Sequence, residues 1–296
     1  MNYYEEIKNK IIDNEIYCKV KDYSKERNTV NTYFEIGRLL NEAGGKYGDN
    51  IIDEYSERLV IEVGKKYNRR TLFRMKQFYK VFNDEKVSTL STQLTWSHYT
   101  ELLKLKNTNA IIYYIRICNN LNISIRELRN RIKTKEYERL SESAKAKLIA
   151  NEQSLLPDLV KNPILIKNTN KYNEISEKIL QQIILEDIES FMKELGTGFC
   201  FIGKEYPIKL GDRYNYIDLL LYNIEFNCYA VIELKVTRLK KEHIGQIEVY
   251  MNYIDKNLKK SNQDRTIGII VCKENNEYII EYCSDKRIIA RNYELV

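Results

Sequence analysis

Several things this 296-residue chain lacks narrow what it can be. No run approaches the ~18 consecutive apolar residues that a membrane-spanning helix needs. The opening MNYYEEIKNK has no basic-then-apolar leader pattern, so a cytoplasmic protein is the expectation. Histidine occurs only twice, at His98 and His243, which argues against a histidine-rich metal centre and against Ser-His-Asp chemistry. The six cysteines (18, 118, 200, 228, 272 and 283) contain no C-x-x-C pair and no neighbouring histidines. They read as reduced thiols rather than zinc ligands or disulfides. Proline occurs three times, at 157, 163 and 207, and never in the first half.

What is present divides the chain. Residues 1–150 hold 28 Lys+Arg against 20 Asp+Glu, a net +8, whereas the remainder holds 20 against 22, a net −2. A basic half joined to a slightly acidic half suggests a polyanion-binding module attached to something else. The first 150 residues show helical periodicity throughout. The segment 151–173, mixing Pro, Asn and short apolar runs, is the predicted linker, and 174–296 is the second domain. There the pattern predicts an amphipathic helix over 174–195, then strands over 199–210, 214–222 and 228–236. A helix over 241–258 and strands over 266–274 and 277–284 follow. This order describes an α+β chain in two domains: an all-α, helix-turn-helix-like first domain and an α/β second domain with a mixed sheet flanked by helices.

One predicted core strand, YAVIELKV (229–236), carries two charges in an apolar run. Side chains alternate along a strand, so Glu233 and Lys235 share a face. Asp218 is the sole charge of the preceding YIDLLLY strand, and the short NIEFN connector fits a hairpin. A turn centred between Glu225 and Phe226 sets Asp218 opposite Glu233 on that same face. Two opposed carboxylates destabilise a sheet unless something positive lies between them. With oxygen donors only, that something is a hard divalent cation, Mg²⁺ or Mn²⁺. Lys235 beside it could orient or deprotonate a water and neutralise a reacting phosphate, an arrangement suited to phosphodiester hydrolysis. The bland alternative is a cross-strand Asp218–Lys235 ion pair with Glu233 at the sheet edge.

The series IDLLLY, YAVIELKV, GQIEVYMNYID and TIGIIVCKE, with the upstream FMKELGTGFCFIGKEYPI, resembles the C-terminal domain of YhcG-like nucleases of the PD-(D/E)XK superfamily. The resemblance implies a restriction-endonuclease-like core in which Asp218 and Glu233 bind Mg²⁺ and Lys235 serves the attacking water. It also implies that Gln246, matching a glutamine that often completes such sites, belongs to the catalytic set. Relatives of this type carry Glu near position 181, where this chain has Gln181. Glu177, one turn earlier on the same helix face, is the alternative metal ligand, and the choice between them stays open.

In the basic half, GKKYNRRTLFRMKQFYKVF (64–82) holds seven cations and no acid. A helical wheel puts Leu72, Met75, Tyr79 and Phe82 on an apolar stripe and Arg70, Arg74, Gln77 and Lys80 opposite. With the preceding helix over 50–63 and a turn at Gly64, this is a helix-turn-helix pattern. Arg69, Arg70, Arg74, Lys76 and Lys80, with Arg126 and Arg129 from SIRELRNRI, are the expected nucleic-acid contacts. Pieces of this half, among them VNTYFEIGRLL and LTWSHYTELL, also resemble the helical domain that precedes the nuclease domain in YhcG-like proteins. Trp96 and His98 read as packing and helix-start residues, and His243 likewise as a helix start. The leading expectation is a metal-dependent DNA endonuclease, with RNA as a further substrate class and a homodimer as the form common in the superfamily. The rival is a DNA-binding or assembly protein whose nuclease-like domain is catalytically silent.

Overall fold

The computed structural model describes residues 2–19, 25–47, 50–83, 94–150, 152 and 155–296. The chain forms two compact units, Met1–Glu138 and Arg139–Val296.

The first unit is helical: α1 (Tyr3–Lys19), α2 (Lys25–Tyr47), α3 (Ile51–Glu62), a 3₁₀ turn (Lys65–Tyr67), α4 (Arg69–Phe82), α5 (Trp96–Leu102), α6 (Thr108–Leu121) and α7 (Ile125–Lys133). Helical spacing brings Tyr4, Ile7 and Ile11 of α1 onto one face, where they meet Ile36, Leu39, Leu40 and Ala43 of α2 and Leu72 and Met75 of α4. At Gly37 the backbones of α2 and α4 approach so closely that a Cβ would stand 2.1 Å from the Met75 carbonyl oxygen. The two expected helix-start features hold. His98 Nδ1 lies 2.9 Å from Thr95 Oγ1, closing the cap of α5, and Trp96 packs edge-on against Tyr33 and Phe78. Phe78, rather than Tyr79, joins Leu72, Met75 and Phe82 on the buried face of α4.

The second unit opens with α8 (Glu142–Ala150), a short turn of helix α9 (Leu156–Leu159) and strand β1 (Ile164–Ile166). Then come α10 (Glu177–Glu186), α11 (Ile188–Leu195), β2 (Phe199–Leu210), β3 (Arg213–Asn223) and β4 (Cys228–Arg238). The unit ends with α12 (Lys241–Asn257), β5 (Ile267–Glu274), α13 (Glu277–Glu281) and β6 (Ile288–Leu295). The six strands form one mixed sheet in the order β1-β6-β5-β4-β3-β2, with β2-β3-β4 antiparallel and β4-β5-β6-β1 parallel. One face packs Leu180, Ile183, Ile184, Phe191 and Leu195 of α10 and α11 onto Leu219, Leu221, Ile232 and Leu234. The other packs Ile247, Tyr250, Met251 and Ile254 of α12 onto Leu220, Val231 and Ile270. Covered on both faces, β4 is the central strand its apolar sequence predicts. At Gly268 a Cβ would meet Met251 Sδ at 2.6 Å, so glycine there lets α12 lie down on β5.

Three expectations change. The predicted linker 151–173 (of which 151, 153 and 154 lie outside the described residues) is built into the second unit. Leu156, Val160, Ile164 and Ile166 are buried in its core, and β1 adds an edge strand beside β6. Arg139 ties this segment down, donating to the Pro163 carbonyl at 2.7 Å and pairing with Glu194. The predicted helix 174–195 is two helices broken at Asp187, whose carboxylate caps α11 by accepting the Ser190 N–H at 3.1 Å. Residues 277–284 hold the short helix α13 instead of a strand, and the last strand is Ile288–Leu295. A strand parallel to β5 cannot follow it through a tight turn, so the crossover takes residues 277–281 out of the sheet and leaves Tyr278 and Tyr282 exposed.

Candidate active site

The β3–β4 hairpin has the register its turn requires: Leu219 pairs with Ile232, Leu220 with Val231, Leu221 with Ala230, Tyr222 with Tyr229 and Asn223 with Cys228. The next step of that register brings Asp218 to Glu233. There the main-chain ladder gives way to side-chain bonds. Asp218 Oδ2 accepts the Leu234 N–H at 2.8 Å, and Gln181 Nε2 donates to the Asp218 carbonyl at 3.0 Å. Backbone groups freed where the strands part are thus satisfied, and the Asp218 carboxylate is locked in place.

Glu233 is 1% exposed. Its Oε2 lies 3.4 Å from Lys235 Nζ, and its Oε1 is buried with no hydrogen-bond partner among the described residues. Lys235 Nζ also lies 3.5 Å from Glu177 Oε2. Burial, and secondly the nearby Asp218, push the Glu233 carboxyl up to about 8, a value that Lys235 only partly offsets. Burial likewise raises Asp218, against the opposing pull of the Leu234 N–H and Lys235. For Lys235, burial alone would lower the pKa, but Glu233, Glu177 and Asp218 together raise it, so the ammonium stays charged. His243 is held below its ordinary value by burial and by Lys235, and its Nδ1 accepts the Lys240 N–H at 3.2 Å at the start of α12.

Two carboxylates with raised pKa values and one buried, unpartnered oxygen form a site short of positive charge. The donors fit a hard divalent cation held by Asp218 and Glu233. Glu177 is turned toward Lys235, and among the described residues no three acidic, histidine or cysteine side chains gather into a metal-ligating group. Gln181, the other candidate on this helix face, instead positions the Asp218 backbone. Gln246 is half-buried on α12 and donates to the Tyr250 hydroxyl at 3.1 Å. Sequence reasoning missed Glu205. The flanking pairs Lys204–Leu219 and Tyr206–Ile217 set it on β2 opposite Asp218 of β3, where its backbone takes the left-handed φ of 45° and its charge helps raise Asp218. A residue count across the Gly211–Asp212 turn, of the kind that aligned Glu233, would have found it.

The predicted basic contacts separate. Arg70, Arg74, Lys80 and Arg126 make no ion pair among the described residues. Arg69 is exposed but pairs with Asp53, and Arg129 donates to Glu101 at 2.8 Å. Lys76 is buried at 8% exposure, on the same side of α4 as Leu72 and Met75, and is removed from the candidate surface. Asn68, Arg69, Arg70, Phe73, Arg74 and Gln77 line an open recess of about 610 Å³. The six cysteines are free, with Cys118, Cys228 and Cys272 buried and Cys200 exposed. Among the described residues no helix is long and apolar enough to cross a membrane.

A mixed sheet whose central hairpin presents an aspartate against an E-x-K strand, flanked by helices on both faces, defines a nuclease-type domain of the PD-(D/E)XK class. Residues 157–296 match the YhcG PDDEXK nuclease domain, and residues 11–139 match the DUF1016 N-terminal domain. The chain therefore carries regions similar to these two domains, in that order. It is 26% identical to "Putative nuclease YhcG" of Escherichia coli (strain K12), over 82% of this chain and 76% of that protein. Among solved structures, similarity is found to "crystal structure of a repair endonuclease from Pyrococcus abyssi" (19% identity, TM-score 0.29) and "Structure of EndoMS-dsDNA2 complex" (20%, 0.30). Each match covers 43% of this chain and 49% of the other, so the chain spans about half the length of those structures.

Proposed function

We infer that the chain is a divalent-cation-dependent nuclease that hydrolyses phosphodiester bonds in DNA, and that its N-terminal helical domain holds the nucleic acid. The observation that carries this reading is the buried Glu233, with one unpartnered oxygen, set against Asp218 and beside a charged Lys235. Asp218 and Glu233 would hold Mg²⁺ or Mn²⁺, which when bound supplies Lewis-acid polarisation of the phosphate and lowers the pKa of a water. Lys235, kept protonated by its carboxylate neighbours, neutralises charge that builds on the phosphate oxygens and orients the attacking water. Glu177 holds the lysine from its other side, and Gln181 fixes Asp218 through its carbonyl. The exposed arginines of α4 and α7 favour a polyanion bound by its phosphates, and the name of the Escherichia coli relative agrees with a nuclease reading.

Labelled single-stranded, duplex and branched DNA, and RNA, incubated with Mg²⁺ or Mn²⁺ test this reading. Wild type is expected to cut at least one of them, and Glu233→Ala and Lys235→Ala each to lose at least about 100-fold in rate, the scale of removing one electrostatic catalytic group. No cleavage by wild type, or equal cleavage by the variants, would leave a binding protein with a silent nuclease fold.

A further inference from the structure

The recess on α4 contains one side chain that phosphate binding does not explain. Phe73 is 53% exposed, yet it shares the recess with Arg69, Arg70 and Arg74. On the helix it lies three residues from Arg70, four from Arg69 and four from Gln77, so these side chains bracket the ring. The helix does not need Phe73 for its core, since Leu72, Met75, Phe78 and Phe82 already supply the buried face. Arg70 and Arg74 lie one turn apart with no ion pair among the described residues, and Asn68 caps the helix by accepting the Thr71 N–H at 3.2 Å. Gln77 is steadied by donating to the Leu103 carbonyl at 3.0 Å.

We propose that this recess binds an unpaired nucleotide, with Phe73 stacking on its base and Arg70 and Arg74 holding the flanking phosphates. The inference rests on the nucleic-acid reading of the first unit and goes further, to the substrate class: single-stranded, looped or branched nucleic acid over continuous duplex. The reason is geometric. Phosphates need only cations, whereas an aromatic ring gains from a base face, and in a duplex every base face is already stacked on its neighbours. Ring-on-base stacking with cations alongside is the chemistry of single-strand platforms, and it tolerates any base because every base has a π-face. The charge of the recess excludes a second apolar protein surface as its occupant, because three guanidinium groups would have to be stripped of water against it.

The test uses the full chain in EDTA, so that no cleavage intervenes. Fluorescein-labelled dT₁₅, rU₁₅ and a blunt DNA hairpin duplex are titrated against wild type, Phe73→Ala and Phe73→Leu. Both substitutions are expected to weaken dT₁₅ or rU₁₅ binding by about 5- to 150-fold, the range for losing one stacked base, with duplex affinity within about twofold. Whichever of dT₁₅ and rU₁₅ loses more identifies DNA or RNA as the preferred source of the nucleotide. The variant Phe73→Trp keeps the stack, and its added indole emission is expected to be quenched by dT₁₅ and unchanged by the duplex. If wild type binds all three probes and the Phe73 variants bind them equally well, or the added indole is not quenched, the stacking site is overturned while nucleic-acid binding stands. If wild type binds none of the probes, the nucleic-acid reading fails first and takes this inference with it.

Discussion

Glu233→Gln should stabilise the cation-free protein at alkaline pH while removing its chemistry. In the folded chain the Glu233 carboxyl titrates near 8, against 4.5 for an unhindered glutamate. Between those values the folded state holds a proton that the unfolded state has released. Stability contributed by this group is therefore present at low pH, falls as pH rises from about 4.5 to about 8, and is flat above. At about 1.4 kcal/mol per pKa unit the full loss is about 5 kcal/mol. Asp218, also raised by burial, adds to the fall in the same direction. Lys235 does not contribute across this window, because its raised folded value keeps it charged throughout. Glutamine has nearly the same shape and no charge, so the Glu233 component disappears, although Lys235 then keeps Glu177, at 3.5 Å, as its ion-pair partner. We expect the difference in stability between pH 5 and pH 8.5 to be about 2–4 kcal/mol smaller in the variant than in wild type. The sole tryptophan, Trp96, reports the first unit, so hydrogen exchange of peptides covering 228–238 and 267–274 in EDTA is the appropriate assay. Parallel pH dependences in the two proteins, within about 0.5 kcal/mol, would refute the claim that Glu233 is a buried carboxylate awaiting a positive charge.

Cation binding needs the ionised carboxylates, so Mn²⁺ affinity measured by calorimetry should rise as pH increases toward about 8 and level off above it; a flat profile from pH 6 would contradict the raised Glu233. Gln181→Leu removes the donor to the Asp218 carbonyl and should cost about 1–3 kcal/mol in denaturant unfolding of the second unit, with weakened Mn²⁺ binding. Arg139→Ala strands the largely buried Glu194 and should destabilise the second unit by about 3–5 kcal/mol, read by the same exchange measurement; a loss below about 1 kcal/mol would restore 151–173 to a linker. The double substitution Arg70→Ala/Arg74→Ala should lower the slope of log affinity for dT₁₅ against log salt by about 1.4, whereas Lys76→Ala should leave that slope unchanged.

Why some residues were legible and others were not follows from how far each inference had to reach. Period-two alternation and a short turn are local, and they suffice to align Asp218, Glu233 and Lys235, because a hairpin register has only one free parameter once its turn is centred. The helical wheel of α4 is local too, but it ranks faces only approximately. Phe78 and Lys76 lie near the boundary of the apolar stripe, and both are buried in the fold, Phe78 through ring contacts with Phe34 of α2 and with Trp96 and Tyr99 of α5.

The amino-acid order by itself determined the hairpin, the shared face of its three charged residues and the division into a basic helical half and an α/β half. Tertiary structure alone decided what fills the space around them. It set Glu177 against Lys235 and Gln181 on the Asp218 carbonyl, because the axial position of α10 over the sheet depends on long-range packing that no local pattern encodes. It drew the Pro- and Asn-containing segment before Tyr172 into the sheet, because β6 presented an open edge for Ile164–Ile166 to pair with. It also left Phe73 in the open, because Leu72, Met75, Phe78 and Phe82 already cover the core beneath α4.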